Sequence, residues 1–188
     1  LLALMVLMTM LPLQAFADNP SSEGGSPGES AALTAIINGG EAVEGDSLQG
    51  IVIGEGLTGM EVTSLEFTQG TVTADDLDYI KANMTNLVTL EASYEVDING
   101  GGLPDEAFKQ RGILETVDLP QITSIGEQAF GNCSSLTSVR LNQLQTMGEG
   151  AFANCTSLET VVTPKLRDIS KEGFENCESL EMVLMPGA

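Results

Sequence analysis

The chain has 188 residues, with 27 acidic against 7 basic side chains, no histidine and a formal net charge of −20. That charge repels polyanions, which excludes nucleic acid and anionic membrane surfaces as partners, and the missing histidine removes the commonest general base and metal ligand. Three cysteines and no tryptophan leave little for redox or stacking chemistry, while 42% hydrophobic residues are enough for a chain of this length to bury a core.

In chain order, Leu1–Leu13 is an apolar run broken only by Thr9 and Pro12, followed by Gln14-Ala15-Phe16-Ala17 and then Asp18. Residues 1–17 read as the apolar stretch and small-x-small cleavage site of a secretory signal, cut after Ala17. A charged start and an initiating Met do not precede it, so the reading takes the signal as truncated. A membrane anchor is the alternative, but it needs about 20 apolar residues. The first cysteine is Cys133, which argues against a lipid-bearing residue at the cleavage point. Residues 18–30 are rich in Pro, Gly, Ser and Glu and read as a flexible acidic linker. Residues 31–61 read as an N-terminal cap with one or two short helices: Leu33, Ile36 and Ile37 have helical spacing, as do Leu48, Ile51 and Val52 after an N-cap at Asp46 or Ser47. Ile51–Ile53 reads equally as a strand.

From there a period takes over. Leu114, Leu136, Leu158 and Leu180 are spaced by 22, and so are Val117, Val139, Val161 and Val183. Phe130, Phe152 and Phe174 keep the same interval, as do Cys133, Cys155 and Cys177, and Asn132, Asn154 and Asn176. A period of this length, with apolar positions near i, i+3 and i+5, marks a leucine-rich solenoid. Leu87–Ala92 matches Leu136–Leu141, and Leu103–Phe108 matches Ile125–Phe130, with an inserted Gly-rich bulged loop around 97–102. Val62, Leu65 and Phe67 form an earlier strand. After it, Thr73-Ala74-Asp75-Asp76 resembles a capping box opening a helix with Leu77 and Ile80. The count is six parallel strands, starting near Val62, Leu87, Leu114, Leu136, Leu158 and Leu180, about 25 Å of sheet at a strand spacing of about 4.8 Å.

In each unit, for example Leu136-x-x-Val139-x-Leu141, Val139 and Leu141 point inward while Ser138, Arg140 and Asn142 point outward. Pro120 and Pro164 end their strands. The pairs Ile125-Gly126 and Met147-Gly148 turn the return stroke, and Phe130, Phe152 and Phe174 fill the core. No unit closes alone; stacking buries the apolar rows. The fold class is therefore an α/β leucine-rich repeat solenoid, with short parallel strands on its concave face, short turns or 3-10 segments on its convex side, and an irregular helix-bearing cap. The repeat domain spans residues 62–188, and the pattern stops in mid-unit.

The string Leu136-x-x-Val139-x-Leu141-x-x-Leu144-x-x-Met147-Gly148-x-x-Ala151-Phe152-x-x-Cys155 resembles the BspA-like, treponemal-type leucine-rich repeat of bacterial surface proteins. The resemblance covers residues 62–185 and is most specific from Leu103 onward. It implies a secreted or surface-attached recognition or adhesion protein, with host matrix proteins as the associated ligands. Thr163 in an inward apolar position, and Ser170 and Gly173 in place of Gly and Ala, depart from the pattern and bear on local packing.

Candidate chemistry is sparse. The three cysteines occupy one equivalent position and read as a buried thiol ladder rather than a disulfide or a metal site, which would need converging ligands. Asn132, Asn154 and Asn176 read as bonding local backbone in their turns; the glycosylation sequons at Asn132 and Asn154 lie beside a buried turn. Asp75, Asp76 and Asp78 lack the spacing of a calcium loop and suit a helix N-terminus. Asp105-Glu106 has no opposing acid, as a glycosidase requires. No cofactor, metal ligand or catalytic residue is called for.

What remains is a binding face. Its first outward column reads Ser64, Thr89, Thr116, Ser138, Thr160 and Met182; its second reads Glu66, Glu91, Asp118, Arg140, Val162 and Leu184. Glu66, Glu91, Asp118, Ser138, Arg140, Thr160 and Val162 are the candidate binding residues, the acidic row suiting a cationic segment of a protein ligand. The expected function is non-enzymatic protein recognition or adhesion, by a monomer that is secreted or on the cell surface and is not inserted in the membrane once its signal is cleaved. The alternative is a targeting or spacer module of a larger secreted enzyme.

Overall fold

The structure, a computed structural model, describes residues 32–185. The signal and linker expectations on residues 1–30 lie outside the described residues. Strands β1 (Leu33–Ile37) and β2 (Ala42–Gly45) form an antiparallel hairpin. The helical reading of Leu33, Ile36 and Ile37 is therefore corrected. Leu33, Ala35 and Ile37 are buried at alternate positions while Thr34 and Ile36 are half-buried on the other face, which is the period of a strand. Asn38 and Gly39, at φ 53° and 69°, make a turn of the hand that suits the twist of paired strands.

Helix α1 (Leu48–Gly54) is N-capped by Ser47, whose Oγ accepts from Gly50 N at 3.2 Å. Ile51 and Val52 are buried and Ile53 is exposed, so this segment is the helix and not the strand. A 3-10 turn over Gly59–Glu61 leads into β3 (Ser64–Gln69) and β4 (Thr71–Val72). Helix α2 (Ala74–Asn83) opens on Thr73 with a reciprocal capping box: Thr73 N and Oγ1 donate to Asp76 Oδ2, and Asp76 N donates to Thr73 Oγ1. The second oxygen of Asp76 accepts from Leu48 N at 2.8 Å, so one buried carboxylate ties the starts of both helices together. At the far end of α2, the Arg111 guanidinium donates to the carbonyls of Ile80, Lys81 and Met84, supplying positive charge where the helix dipole is negative.

The repeats then follow as β5 (Thr89–Ala92), β6 (Asp97–Ile98), β7 (Gly102–Leu103), β8 (Thr116–Asp118), β9 (Ser124–Ile125), β10 (Ser138–Arg140), β11 (Thr146–Met147), β12 (Thr160–Val162) and β13 (Met182–Leu184). The main sheet has eight strands in the order β13-β12-β10-β8-β5-β3-β1-β2. The six strands read from the repeat are all there and all parallel; β1 joins β3 antiparallel and adds two strands at one end. On the return stroke β7, β9 and β11 make a second parallel sheet, and β4 pairs with β6. The Gly-rich insertion is ordered between β6 and β7 as a left-handed stretch, Asn99, Gly100 and Gly101 all having positive φ.

Rungs stack on their own equivalents. Phe108, Phe130, Phe152 and Phe174 form a column with centroids 5.2–5.4 Å apart and rings within 14° of parallel. The turns repeat as well: residues 106, 128, 150 and 172, and again 110, 132, 154 and 176, all have positive φ. Asn at three of these eight positions is the non-glycine residue that adopts this conformation most readily. At two of the three the side chain works between rungs, Asn176 Nδ2 donating to Asn154 Oδ1 at 2.8 Å, where local backbone bonds were expected. Gly148 is required by close approach: a Cβ there would lie 2.4 Å from the backbone of Gly126 and Glu127. Ser170 stands one rung further on, and its hydroxyl donates to Gly148 O. Thr163 is fully buried with its hydroxyl unpartnered among the described residues, so the departure from the apolar pattern leaves a polar atom in the core.

Candidate protein-binding face

Parallel pairing in unbroken register sets the outward side of the main sheet. Ser64 pairs with Thr89, Thr89 with Thr116, Thr116 with Ser138, Ser138 with Thr160, and Thr160 with Met182. Two residues along each strand, Glu66, Glu91, Asp118, Arg140, Val162 and Leu184 pair in the same succession. Between the two columns, Leu65, Leu90, Val117, Val139 and Val161 are buried in the core. All seven candidate residues are thus brought onto one face. Arg140, Ser138 and Glu91 are exposed; Glu66, Asp118, Thr160 and Val162 are half-buried.

The charges on this face are not equivalent. Arg140 Nη1 donates to Asp118 Oδ2 at 3.0 Å, so Asp118 is neutralised by the next rung. Burial pushes the Asp118 carboxyl up from its ordinary value, against the opposing pull of Arg140. Among the described residues Glu66 and Glu91 lie in no ion pair, and their Cα atoms are partners across neighbouring strands.

Two features of the face lie outside the repeat pattern. The hairpin extends the acidic column, Ile36 pairing with Glu66; Ile36, Gly39, Ser64, Leu65, Glu66, Thr89 and Glu91 then line a small cleft. Asn38 holds that end of the face: its Oδ1 accepts from Thr63 N and Ser64 N, and its Nδ2 donates to Glu61 O. The signal for the hairpin is present as the pair Asn38-Gly39 after the alternation Leu33, Ala35, Ile37. Tyr94, exposed in the loop after β5, reaches across to accept a hydrogen bond from Asn142. That hydrogen bond spans 48 residues, and no local pattern announces it.

The other candidates have structural duties. Cys133, Cys155 and Cys177 are free thiols, each donating to the carbonyl of the phenylalanine 25 residues earlier at 3.0–3.1 Å. The hydrogen bond with the Cys133 thiol, together with burial, pushes Cys155 up to about 12, and Cys177 is raised by its bond to Cys155 and by burial. Raised in this way, Cys155 and Cys177 are poor nucleophiles; Cys133 is instead lowered, by its hydrogen bond with the Cys155 thiol and by the nearby Arg111, against the effect of its burial. Asp105 Oδ1 accepts from Glu127 N, and Glu106 is paired with Lys109. Asp76 serves the two helix starts. No group of three or more metal-binding side chains occurs among the described residues, and no helix among them is long and apolar enough to cross a membrane.

Residues 102–188 match the model of the BspA type leucine rich repeat region, in six copies. The chain is also similar to a leucine-rich repeat protein of T. pallidum known from its crystal structure, at 18% identity and a TM-score of 0.38, over 64% of this chain and 63% of that one. No curated protein matches the chain.

Proposed function

Residues 102–188 belong to the BspA-type leucine-rich repeats, and from that premise we propose that the outward face of the main sheet is the protein-recognition surface of a secreted or cell-surface adhesion protein. Repeats of this kind are in general a protein-binding fold and not a catalytic one. The observation that carries the reading is the contrast within one sheet: an apolar column faces inward and is buried on five strands, while outward the first column carries hydroxyls on five strands and the second carries charges on four before turning apolar at Val162 and Leu184. A sheet that only had to fold would not need neighbouring Glu66 and Glu91, because like charges directly across strands are destabilising.

The ligand is a protein presenting a cationic segment, and host matrix or surface proteins are the class the family suggests. Charge complementarity of this kind raises the association rate and makes it sensitive to salt. The test replaces Glu66 and Glu91 with Gln and Asp118 with Asn in the mature protein, and measures binding to a panel of extracellular-matrix proteins across a salt series. Weakened binding with a flatter salt dependence is expected, most of it from Glu66 and Glu91 because Asp118 already has Arg140. Unchanged affinity and an unchanged salt slope would sink the reading.

A further inference from the structure

We propose that the cleft between hairpin strand β1 and strands β3 and β5 is the receptor for a single arginine side chain of the protein ligand. This deepens the recognition reading above and rests on it. The cleft's wall is Ile36 and its floor includes Leu65. On the open side Glu66 and Glu91 occupy partnered positions of a parallel ladder, with about 4.8 Å between the strands. Ser64 and Thr89, also partners, place hydroxyl acceptors alongside. A planar guanidinium suits this arrangement. It has donors on more than one edge to reach both carboxylates, it is weakly hydrated, and its stem lies along apolar surface.

The same column shows how it takes a cation. Two strands further on, the guanidinium of Arg140 reaches back one rung and donates to Asp118 at 3.0 Å. Lys171 does likewise to Glu149, again from a position 22 residues later. At these two carboxylates the cation comes from the neighbouring rung. At Glu66 and Glu91 the neighbouring positions hold Ile36, Glu91, Glu66 and Asp118, so no rung supplies the base, and the one Arg nearby in the column is engaged by Asp118. A divalent metal is the poorer occupant, since the cleft offers two carboxylates beside an apolar wall and no third metal-binding side chain completes a set. The site is also held ready. Asn38 anchors the hairpin tip to Thr63 and Ser64, which limits the ordering that binding requires.

The test is a titration of the full chain at low salt with Nα-acetyl-arginine amide, followed by backbone amide resonances, with Nα-acetyl-citrulline amide as the uncharged isostere. Saturable shifts grouped at Ser64, Glu66, Thr89 and Glu91 are expected with arginine and not with citrulline. Glu66→Gln combined with Glu91→Gln abolishes them. Ile36→Ser weakens binding by roughly fourfold for each methylene group that is no longer buried and leaves the charge response intact, and retained phenylalanine-column resonances show that each variant is folded. Shifts that do not saturate, or that spread over acidic residues throughout the chain, overturn the proposal. If the double Gln variant loses matrix-protein binding while arginine amide gives no saturable response, the cleft is wrong and the recognition face stands. If arginine binds here while matrix-protein binding ignores the double variant, the cleft stands and that partner class is wrong.

Discussion

The two halves of this molecule reach the same sheet by different means. From residue 102 onward each rung is a copy, and a residue's main neighbour is its own equivalent one rung away: Phe on Phe, Val beside Val, a thiol near a thiol. Between residues 32 and 92 hardly any interaction is repeated. There the hairpin, two helices and the first strands are held by single long-range bonds, such as Asp76 to Leu48, Asn38 to Thr63 and Arg111 to the end of α2. The first half also supplies the last strand of the main sheet among the described residues. Its edge strand β2 is short, antiparallel and carries exposed Glu44, features that discourage further pairing. At the other end Phe174, Cys177, Leu180 and Val183 are only partly buried, although Phe152, Cys155, Leu158 and Val161 one rung earlier are fully buried. Repetition carries one packing solution from rung to rung, while the hairpin end is built from contacts that occur once.

The largest effect belongs to Phe152→Ala, which removes the middle of the stacked ring column and costs about 3–5 kcal/mol. Hydrogen exchange should loosen most in the adjoining rungs, because stability in a solenoid is a nearest-neighbour property. An even loosening from residue 33 to residue 184 would erase the distinction between the halves.

Asp76→Ala tests the other half. It leaves the buried Leu48 amide without its acceptor and dismantles the capping box, a loss of roughly 1–3 kcal/mol. Protection should fall across α1, α2 and the hairpin and survive in β8, β10 and β12. A paired measurement sharpens the contrast further. Gly39→Ala and Asn154→Ala both put alanine in the left-handed region, at φ 69° and 60°, for about 1–2 kcal/mol each. The first should fray only the hairpin, while the second should also be felt in the following rung, because Asn154 accepts from Asn176.

The smallest effect is Cys155→Ala, about 1 kcal/mol for a small cavity in the thiol column. In the native chain Cys155, with its thiol pushed up to about 12, should resist a thiol reagent and react quickly once unfolded. A purified chain lighter by two hydrogens would show a disulfide and contradict the free-thiol column.

The sequence is most legible where it repeats. Six parallel strands, the outward columns, the stacked phenylalanines and the Thr73 capping box can all be read from spacing, because in a solenoid one local pattern sets both the fold of a rung and the neighbour it meets. Ile36 is misplaced by that kind of reading because three apolar residues at 33, 36 and 37 satisfy a helical period, although the alternation before Asn38-Gly39 is the stronger signal. The acidic row is legible as a column but not in its charge balance. The ion pair of Arg140 with Asp118 depends on a side chain leaning back one rung, and spacing alone does not say which way a long side chain leans.

By itself, then, the amino-acid order determined the rung: its length, its inward and outward positions, its turn residues and the family it resembles, since these follow from a 22-residue recurrence of apolar spacing. Only the tertiary structure decided how the repeats are closed at the hairpin end and what the outward face presents. Bringing Ile36 beside Glu66 takes a chain reversal and an antiparallel docking on β3, and tying Leu48 to Asp76 takes two helices that meet 28 residues apart. Those pairings recur nowhere else among the described residues, so no period encodes them, and they appear only when the elements pack.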